Sequence, residues 1–223
     1  MNTTTREQRG PVPDHIPNGL LVLDLCCGAG GLSMGYWLAG FDVVGIDLHP
    51  QPRYPFEFHQ ADALEYLASI TASGEIERYA LVHASWPCQY FANVTQWRGS
   101  RDDHEDLLTP GRKLMAASGR PWVIENVPEA PLRPDYLLCG SQFGVNVRRH
   151  RVFETSWGGG GELLPPCWHH KGLLPFMHKA ERAYADAMGC TWMNKTEARQ
   201  AVPPAYSEWI GRQFLTHGVR GPV

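Results

Sequence analysis

The sequence predicts an α/β fold: a mostly parallel sheet flanked by helices, with a small appended segment near the C-terminal end. Three observations predict it. Short apolar runs alternate with helix-compatible stretches as far as Thr155, the alternation that builds βαβ units. A glycine-rich turn, Gly28-Ala29-Gly30-Gly31, directly follows the first run. Successive runs also end on residues able to do chemistry, which a parallel sheet lines up along its carboxyl edge. With 223 residues, 43% of them hydrophobic, the chain can bury one substantial core.

In order along the chain, residues 1–18 are polar and proline-punctuated and read as a loose leader. The core is expected over residues 19–156. Leu20 to Leu25 is a strand, and Leu32 to Ala39 is the helix beyond the glycines. Phe41 to Ile46 is a second strand ending on Asp47; Phe58 to Ala61 is a third, ending on Asp62 before the helix Ala63 to Ser69. Tyr79 to Ala84 is an apolar strand that emerges into Ser85-Trp86-Pro87-Cys88-Gln89. The polar stretch from Tyr90 to Asp106, with Trp97, Arg98 and Arg101, has no period and reads as a long loop of the functional kind. Leu107 to Ala117 is helical, and Pro121 to Ile124 is a strand ending on Glu125-Asn126. Two short strands, Tyr136 to Cys139 and Val152 to Thr155, bracket Arg148, Arg149 and Arg151. Four glycines, Gly158 to Gly161, open an appendage over residues 157–195 whose one helix is Lys179 to Met188. Residues 196–223 return to the core as two helices, Glu197 to Val202 and Tyr206 to Phe214, separated by Pro203-Pro204.

The run ends suggest a site, although each taken singly has a plainer explanation. Gly28, Gly30 and Gly31 let a ligand approach the backbone near free helix N–H groups, but a lone glycine turn is a weak signal. Asp47 is placed to hold two ribose hydroxyls and Asp62 an adenine amino group; either is equally at home as a helix cap. Cys88 reads as a nucleophile or as one more buried cysteine, and Glu125 as its companion or as a turn cap before Pro128. It is the order of glycines, Asp, Asp, Cys and Glu along one edge that favours a site.

A formal net charge of -3 shows no basic excess, so any nucleic-acid contact is local, at Arg98 and Arg101, Arg112 and Lys113, or the Arg148 cluster. Met1 to Gly10 has no apolar signal core and no run has the length of a membrane span, so a cytoplasmic chain with reduced thiols is expected. Cys167, His169, His170, His178 and Cys190 are metal-ligating types, but their spacing matches no standard zinc site, and no metal is expected. Trp168, Trp192 and Met193 read as the small core of the appendage.

Asp24-Leu25-Cys26-Cys27-Gly28-Ala29-Gly30-Gly31, Pro87-Cys88-Gln89, Glu125-Asn126-Val127, Arg149-His150-Arg151 and Pro203-Pro204-Ala205-Tyr206 with Ile210-Gly211 resemble, in order and spacing, the motifs of the DNA cytosine-5 methyltransferases. The resemblance runs from about residue 20 to residue 215. It implies a Rossmann-like methyltransferase fold that uses S-adenosylmethionine. The glycine turn with Cys26 and Cys27 would contact the methionine part, Asp47 the ribose and Asp62 the adenine. Leu48, Ala63 and Pro87 would lie beside them, with Ser207 closing the pocket from the last helix. Cys88 would attack, Glu125 hold the N3 and amino edge of the base, Arg151 bind its O2, and Arg149 brace the catalytic loop. The implied partner is double-stranded DNA with the target cytosine flipped out, acted on by a monomer in restriction protection or DNA modification. Methylation of tRNA, and transfer of a larger group from a modified sulfonium donor, are the alternatives on the same site; a degenerate binding module would call for a broken nucleophile or acid.

Three features depart from the family. Ala92 stands where serine is common, and Val147 where glutamine is common. Only residues 157–195 are available for target recognition, so sequence specificity is expected to be short, lax or supplied by a partner.

Overall fold

The computed structural model describes residues 12–91, 104–175 and 181–218. Among these residues nine strands are present: β1 (Leu21–Leu25), β2 (Asp42–Asp47), β3 (Glu57–Gln60), β4 (Leu81–Ala84), β5 (Trp122–Asn126), β6 (Tyr136–Leu138), β7 (Val147–Arg148), β8 (Arg151–Thr155) and β9 (Leu174–Pro175). Seven form one sheet in the order β3-β2-β1-β4-β5-β8-β6, and β7 pairs with β9 in a two-stranded ladder. The first five strands of that order are parallel, while β8 runs antiparallel to both β5 and β6. This is the Rossmann-like methyltransferase fold expected from the sequence. The reversed strand has a consequence for the site: β8 begins where β5 ends, Asn126 facing Val152, so Arg151 joins the same sheet edge as the ends of β1, β2, β4 and β5.

Among the described residues six α-helices accompany the strands: α1 (Gly31–Leu38), α2 (Ala63–Ser73), α3 (Leu108–Ala117), α4 (Glu181–Ala187), α5 (Lys195–Gln200) and α6 (Pro204–His217). Strand residues alternate between two cores, as the two-residue period of a pleated strand requires. Val22, Val43, Leu81 and Val123 join a cluster with Tyr36, Tyr206, Ile210 and Phe214 from α1 and α6. Leu23, Val44, Val82 and Ile124 join the opposite cluster with Leu67, Ile70 and Met115 from α2 and α3. Helices α1 and α6 pack so closely that a Cβ at Gly35 would strike the Pro204 carbonyl and the Ser207 hydroxyl.

The face toward α1 also buries a polar layer. Asp24 and His83, register neighbours across β1 and β4, are both fully enclosed. Asp24 Oδ2 accepts from Ser33 Oγ, which accepts from Tyr54 Oη at 2.8 Å, while His83 lies 2.8 Å from Tyr36 Oη and 3.2 Å from Ser85 Oγ. Most buried polar groups are bonded in this way.

Two expectations change here. The described part of the expected leader is docked on α1: the Trp37 indole donates to the Pro13 carbonyl at 2.7 Å, and His15 lies 3.4 Å from the Trp37 ring. The appendage is divided. Tyr184, Met188, Cys190 and Met193 form a buried cluster with Ala198 and Val147, whereas Trp168 is 73% exposed and takes no part in it. Valine suits position 147 because β7 buries it completely in that cluster, paired to Leu174. Ala92, Trp97, Arg98, Arg101 and His178 lie outside the described residues. No described helix is long and apolar enough to cross a membrane.

Candidate active site

A cleft of about 790 Å³ opens along the carboxyl edge of the sheet. At one end, the chain leaves β1 through a turn in which Cys26 has φ 56°, Gly28 φ 51° and Gly30 φ 85°. Cys26 holds a conformation that favours glycine, and such positions cluster where backbone must approach a ligand. Gly28 lines the cleft with open space where a Cβ would stand. Gly30 does not line it; a Cβ there would meet the Tyr54 ring at 3.0 Å, and its role is to start α1. Gly31 is constrained by packing as well, because its Cβ would come 2.5 Å from the Val202 carbonyl.

Asp47, at the end of β2, accepts the Gly28 N–H on Oδ2 and the His49 N–H on Oδ1, both at 2.9 Å. It therefore ties two turns together, lines the cleft, and keeps on each oxygen a second lone pair that these bonds do not use. Asp62 caps α2, its Oδ1 accepting from Leu64 and Glu65 N–H at 2.9 Å. The capping alternative is thus correct for Asp62, and the same residue also lines the cleft. Leu48, 58% exposed, and Ala63 present apolar surface between the two acids. Ser207 is not brought to the cleft: it is fully buried and donates to the Leu32 carbonyl at 2.6 Å, supporting α1 from beneath.

Beyond β4 the loop to Cys88 is anchored at three points. Ser85 N–H bonds the Leu25 carbonyl at 3.1 Å, Asn126 Nδ2 donates to the Trp86 carbonyl at 2.9 Å, and Trp86 is buried against Gly111 of α3. Pro87, Cys88, Glu125 and Arg151 then share the far end of the cleft. Glu125 and Arg151 are nearly enclosed, with 6% and 14% of their side chains exposed, and Arg151 Nε stands 2.8 Å from Glu125 Oε1. The two make an ion pair, and the buried Oε1 has no hydrogen-bond partner among the described residues. Burial pushes the Cys88 thiol up from its ordinary value; Arg151 and Arg149 pull it down and Glu125 raises it further. The arginines therefore soften the cost of the thiolate without outweighing burial.

Arg149 is 3% exposed. Its guanidinium donates to Tyr184 Oη at 3.2 Å and to the carbonyls of Arg199 and Gln200 at 3.0 Å, clamping α4 and α5. The loop it was expected to brace lies largely outside the described residues.

Sequence reasoning missed two participants. Asp24 lines the cleft with Oδ1 buried and without a hydrogen-bond partner among the described residues, and burial raises its pKa to about 7. Its signal was available: an acid in the middle of an otherwise apolar strand. Trp192 donates its indole N–H to the Ala29 carbonyl at 2.8 Å, so the appendage reaches the glycine turn, and nothing in its spacing indicates this.

Comparison with known proteins bears on the family and the fold. The chain is 27% identical over 208 residues to the Type II methyltransferase M.XorII of Xanthomonas oryzae pv. oryzae, a match that covers 85% of this chain and 43% of that protein. It therefore spans less than half the length of that relative. It is 31% identical over 123 residues to the Type II methyltransferase M.HgiGI of Herpetosiphon aurantiacus, covering 49% of this chain and 92% of that protein. Among solved structures, the Dnmt2 methyltransferase of S. pombe superposes with a TM-score of 0.55 at 14% identity, covering 88% of this chain and 98% of that chain, a likeness of fold. No family model matches. With a relative above 30% identity matched over nearly its whole length, the chain belongs to the methyltransferase family that includes M.HgiGI.

Proposed function

We propose that the chain is a DNA cytosine-5 methyltransferase, moving a methyl group from S-adenosylmethionine to C5 of a flipped-out cytosine through a covalent bond between Cys88 and C6. The observation that carries this reading is the buried Glu125 carboxylate, ion-paired to Arg151, with Oε1 lacking a hydrogen-bond partner beside a half-buried cysteine.

The other end of the cleft fits the cofactor. Gly28 leaves room for close approach, Asp47 keeps lone pairs for ribose hydroxyls, and Leu48, Ala63 and Asp62 offer an apolar surface with an acceptor for an adenine. Asp24 Oδ1 suits a donor on the amino-acid part. When bound, the cofactor supplies an electrophilic methyl group on a positively charged sulfur.

Cytosine C5 is a weak nucleophile until C6 is occupied. Cys88 loses its proton to water and adds through sulfur to C6, pushing electron density to C5 and N3. Glu125, taking up a proton from solvent as the base binds, donates it to N3 and accepts from the 4-amino group, and Arg151 bonds O2, so charge is stabilised where it develops. C5 then takes the methyl group as the S–CH3 bond breaks and a neutral thioether leaves, the C5 proton passes to solvent, the N3 proton returns to Glu125, and the S–C6 bond breaks to return the Cys88 thiolate. In a duplex the base must leave the stack first, and the segment following Cys88 is our candidate to close over it. The Type II names of the relatives support a restriction-modification role. With only residues 157–195 set aside for target choice, specificity would be short, lax or partner-supplied.

The test is direct: express the chain, hydrolyse host DNA and weigh the nucleosides, with a Cys88→Ala control. We expect 5-methylcytosine in the wild-type sample alone; its absence from both would refute the reading. Labelled cofactor offered with DNA or tRNA separately would report the substrate, and the nucleoside mass would report the group transferred.

A further inference from the structure

Among the described residues, four metal-ligating side chains converge beside the cleft, which His150 also lines: Cys139 at the end of β6, His150 just before β8, and Cys167 and His169 from the appendage, with all four ligand atoms within 4.8 Å of one another. We propose that they form a structural zinc site. This inference is independent of the reaction assigned above.

The donor chemistry is that of a closed zinc site: two sulfurs, two imidazole nitrogens and no fifth ligand required. Cys139 Sγ lies 3.4 Å from His169 Nε2, His150 Nε2 lies 3.3 Å from Cys167 Sγ, and Cys167 Sγ lies 2.8 Å from His169 Nε2. With Zn–S of about 2.3 Å and Zn–N of about 2.0 Å, a tetrahedral site separates neighbouring S and N ligands by about 3.5 Å. Two of the three edges already have that length, and the third lengthens as the metal enters. Ser141 Oγ is 3.6 Å from Cys139 Sγ, placed to donate to a thiolate in the supporting manner common around metals. Two thiolates balance the charge of the dication, so the site adds no net charge beside Arg148, Arg149 and Arg151.

The neighbourhood shows what such a site does. Residues 161–170 are exposed except for the half-buried Leu164, with Leu163 94% exposed and Trp168 73% exposed. Its path is nevertheless defined against the turn after β6, through Gln142 Nε2 to the Pro165 carbonyl at 3.0 Å and Trp168 N–H to Ser141 Oγ at 3.1 Å. A segment too small to bury its own core is commonly held by a metal or a disulfide. His150 stands between Arg149 and Arg151, and Arg151 Nη1 bonds the His150 carbonyl at 2.7 Å. The metal would thus fix the appendage and the backbone that carries Arg151 to a common point. Spacing along the chain hides the set, because two ligands belong to the core and two to the appendage. His170 is turned away, its Nδ1 accepting from Gly172 N–H, and Cys190 is buried in the cluster around α4.

The full chain, purified without chelator, is to be measured by inductively coupled plasma mass spectrometry and then exchanged with cobalt. We expect about one zinc per chain. The cobalt form should show visible d–d bands of tetrahedral strength and a near-ultraviolet thiolate-to-cobalt band. Cys167→Ser and His169→Ala should lose the metal while His170→Ala and Cys190→Ser keep it, and chelation should open the segment around Cys167 to protease. If the substituted proteins fail to fold, the wild-type cobalt spectrum decides alone. A chain that neither carries nor takes up zinc, a metal retained by Cys167→Ser and His169→Ala, or a Cys139 to Cys167 disulfide in the purified protein would overturn the proposal.

Discussion

The two ends of the cleft are built differently. At the glycine-turn end most polar groups are satisfied by the protein itself, Asp24 Oδ1 being the exception: Asp47 is bonded by Gly28 and His49, Asp62 by Leu64 and Glu65, and Trp192 holds the Ala29 carbonyl. At the cysteine end the groups are buried but incompletely bonded, with Oε1 of Glu125 lacking a hydrogen bond and the Cys88 thiol raised by burial. The first end is preorganised for a ligand that must bind in one pose. The second holds its charge in reserve for a base whose own hydrogen-bonding edge completes it.

Glu125→Gln should give the largest effect, since it removes a group acting on developing charge. We expect kcat to fall by about 10²- to 10³-fold with cofactor affinity retained, read by steady-state kinetics. An equal loss of cofactor affinity would break the division between the ends. Asp47→Ala should do the reverse, weakening cofactor binding by about 10-fold in a titration while kcat changes little.

A smaller effect concerns pH. Because burial holds Cys88 above its ordinary 9.0, kcat/KM should rise with pH into the alkaline range, and Arg151→Gln should move that rise higher still by removing a charge that favours the thiolate. A profile already flat at neutral pH would show that the free site holds a thiolate.

The subtlest prediction lies beneath the cleft, where the buried ionisable neighbours are shifted in opposite directions. His83 falls from 6.5 to about 3, so the stability it contributes is present above 6.5 and is lost as pH falls toward 3. Asp24 rises from 3.8 to about 7, so its contribution is present below 3.8 and is lost as pH rises through 7. The two oppose each other across the mildly acidic range. Thermal denaturation should show the Tm gap between wild type and His83→Gln closing on acidification from pH 7 to 4, and the gap to Asp24→Asn widening.

Much of this was readable from residues. The strand ends were legible because apolar runs and acids at their termini are local signals, and β1, β2, β4 and β5 lie within two residues of their expected bounds. Ser207 and Gly30 illustrate the limit: their types suited the cofactor, yet packing against Leu32 and Tyr54 decided their places. β7 and β9, of two residues each, are too short to carry a period. The joining of Cys139 and His150 to Cys167 and His169 depends on how the appendage lies on the sheet, a tertiary fact with no pattern along the chain.

The central claim is that Cys88 bonds C6 while C5 receives the methyl group. Mass spectrometry of the protein incubated with S-adenosylmethionine and DNA carrying 5-fluorocytosine tests it, because fluorine at C5 cannot leave as a proton and the adduct persists. The account predicts a covalent protein–DNA species mapped to Cys88, with one methyl group on the trapped base. A methylated nucleoside whose methyl group sits on the 4-amino nitrogen, with no bond to Cys88, would contradict it.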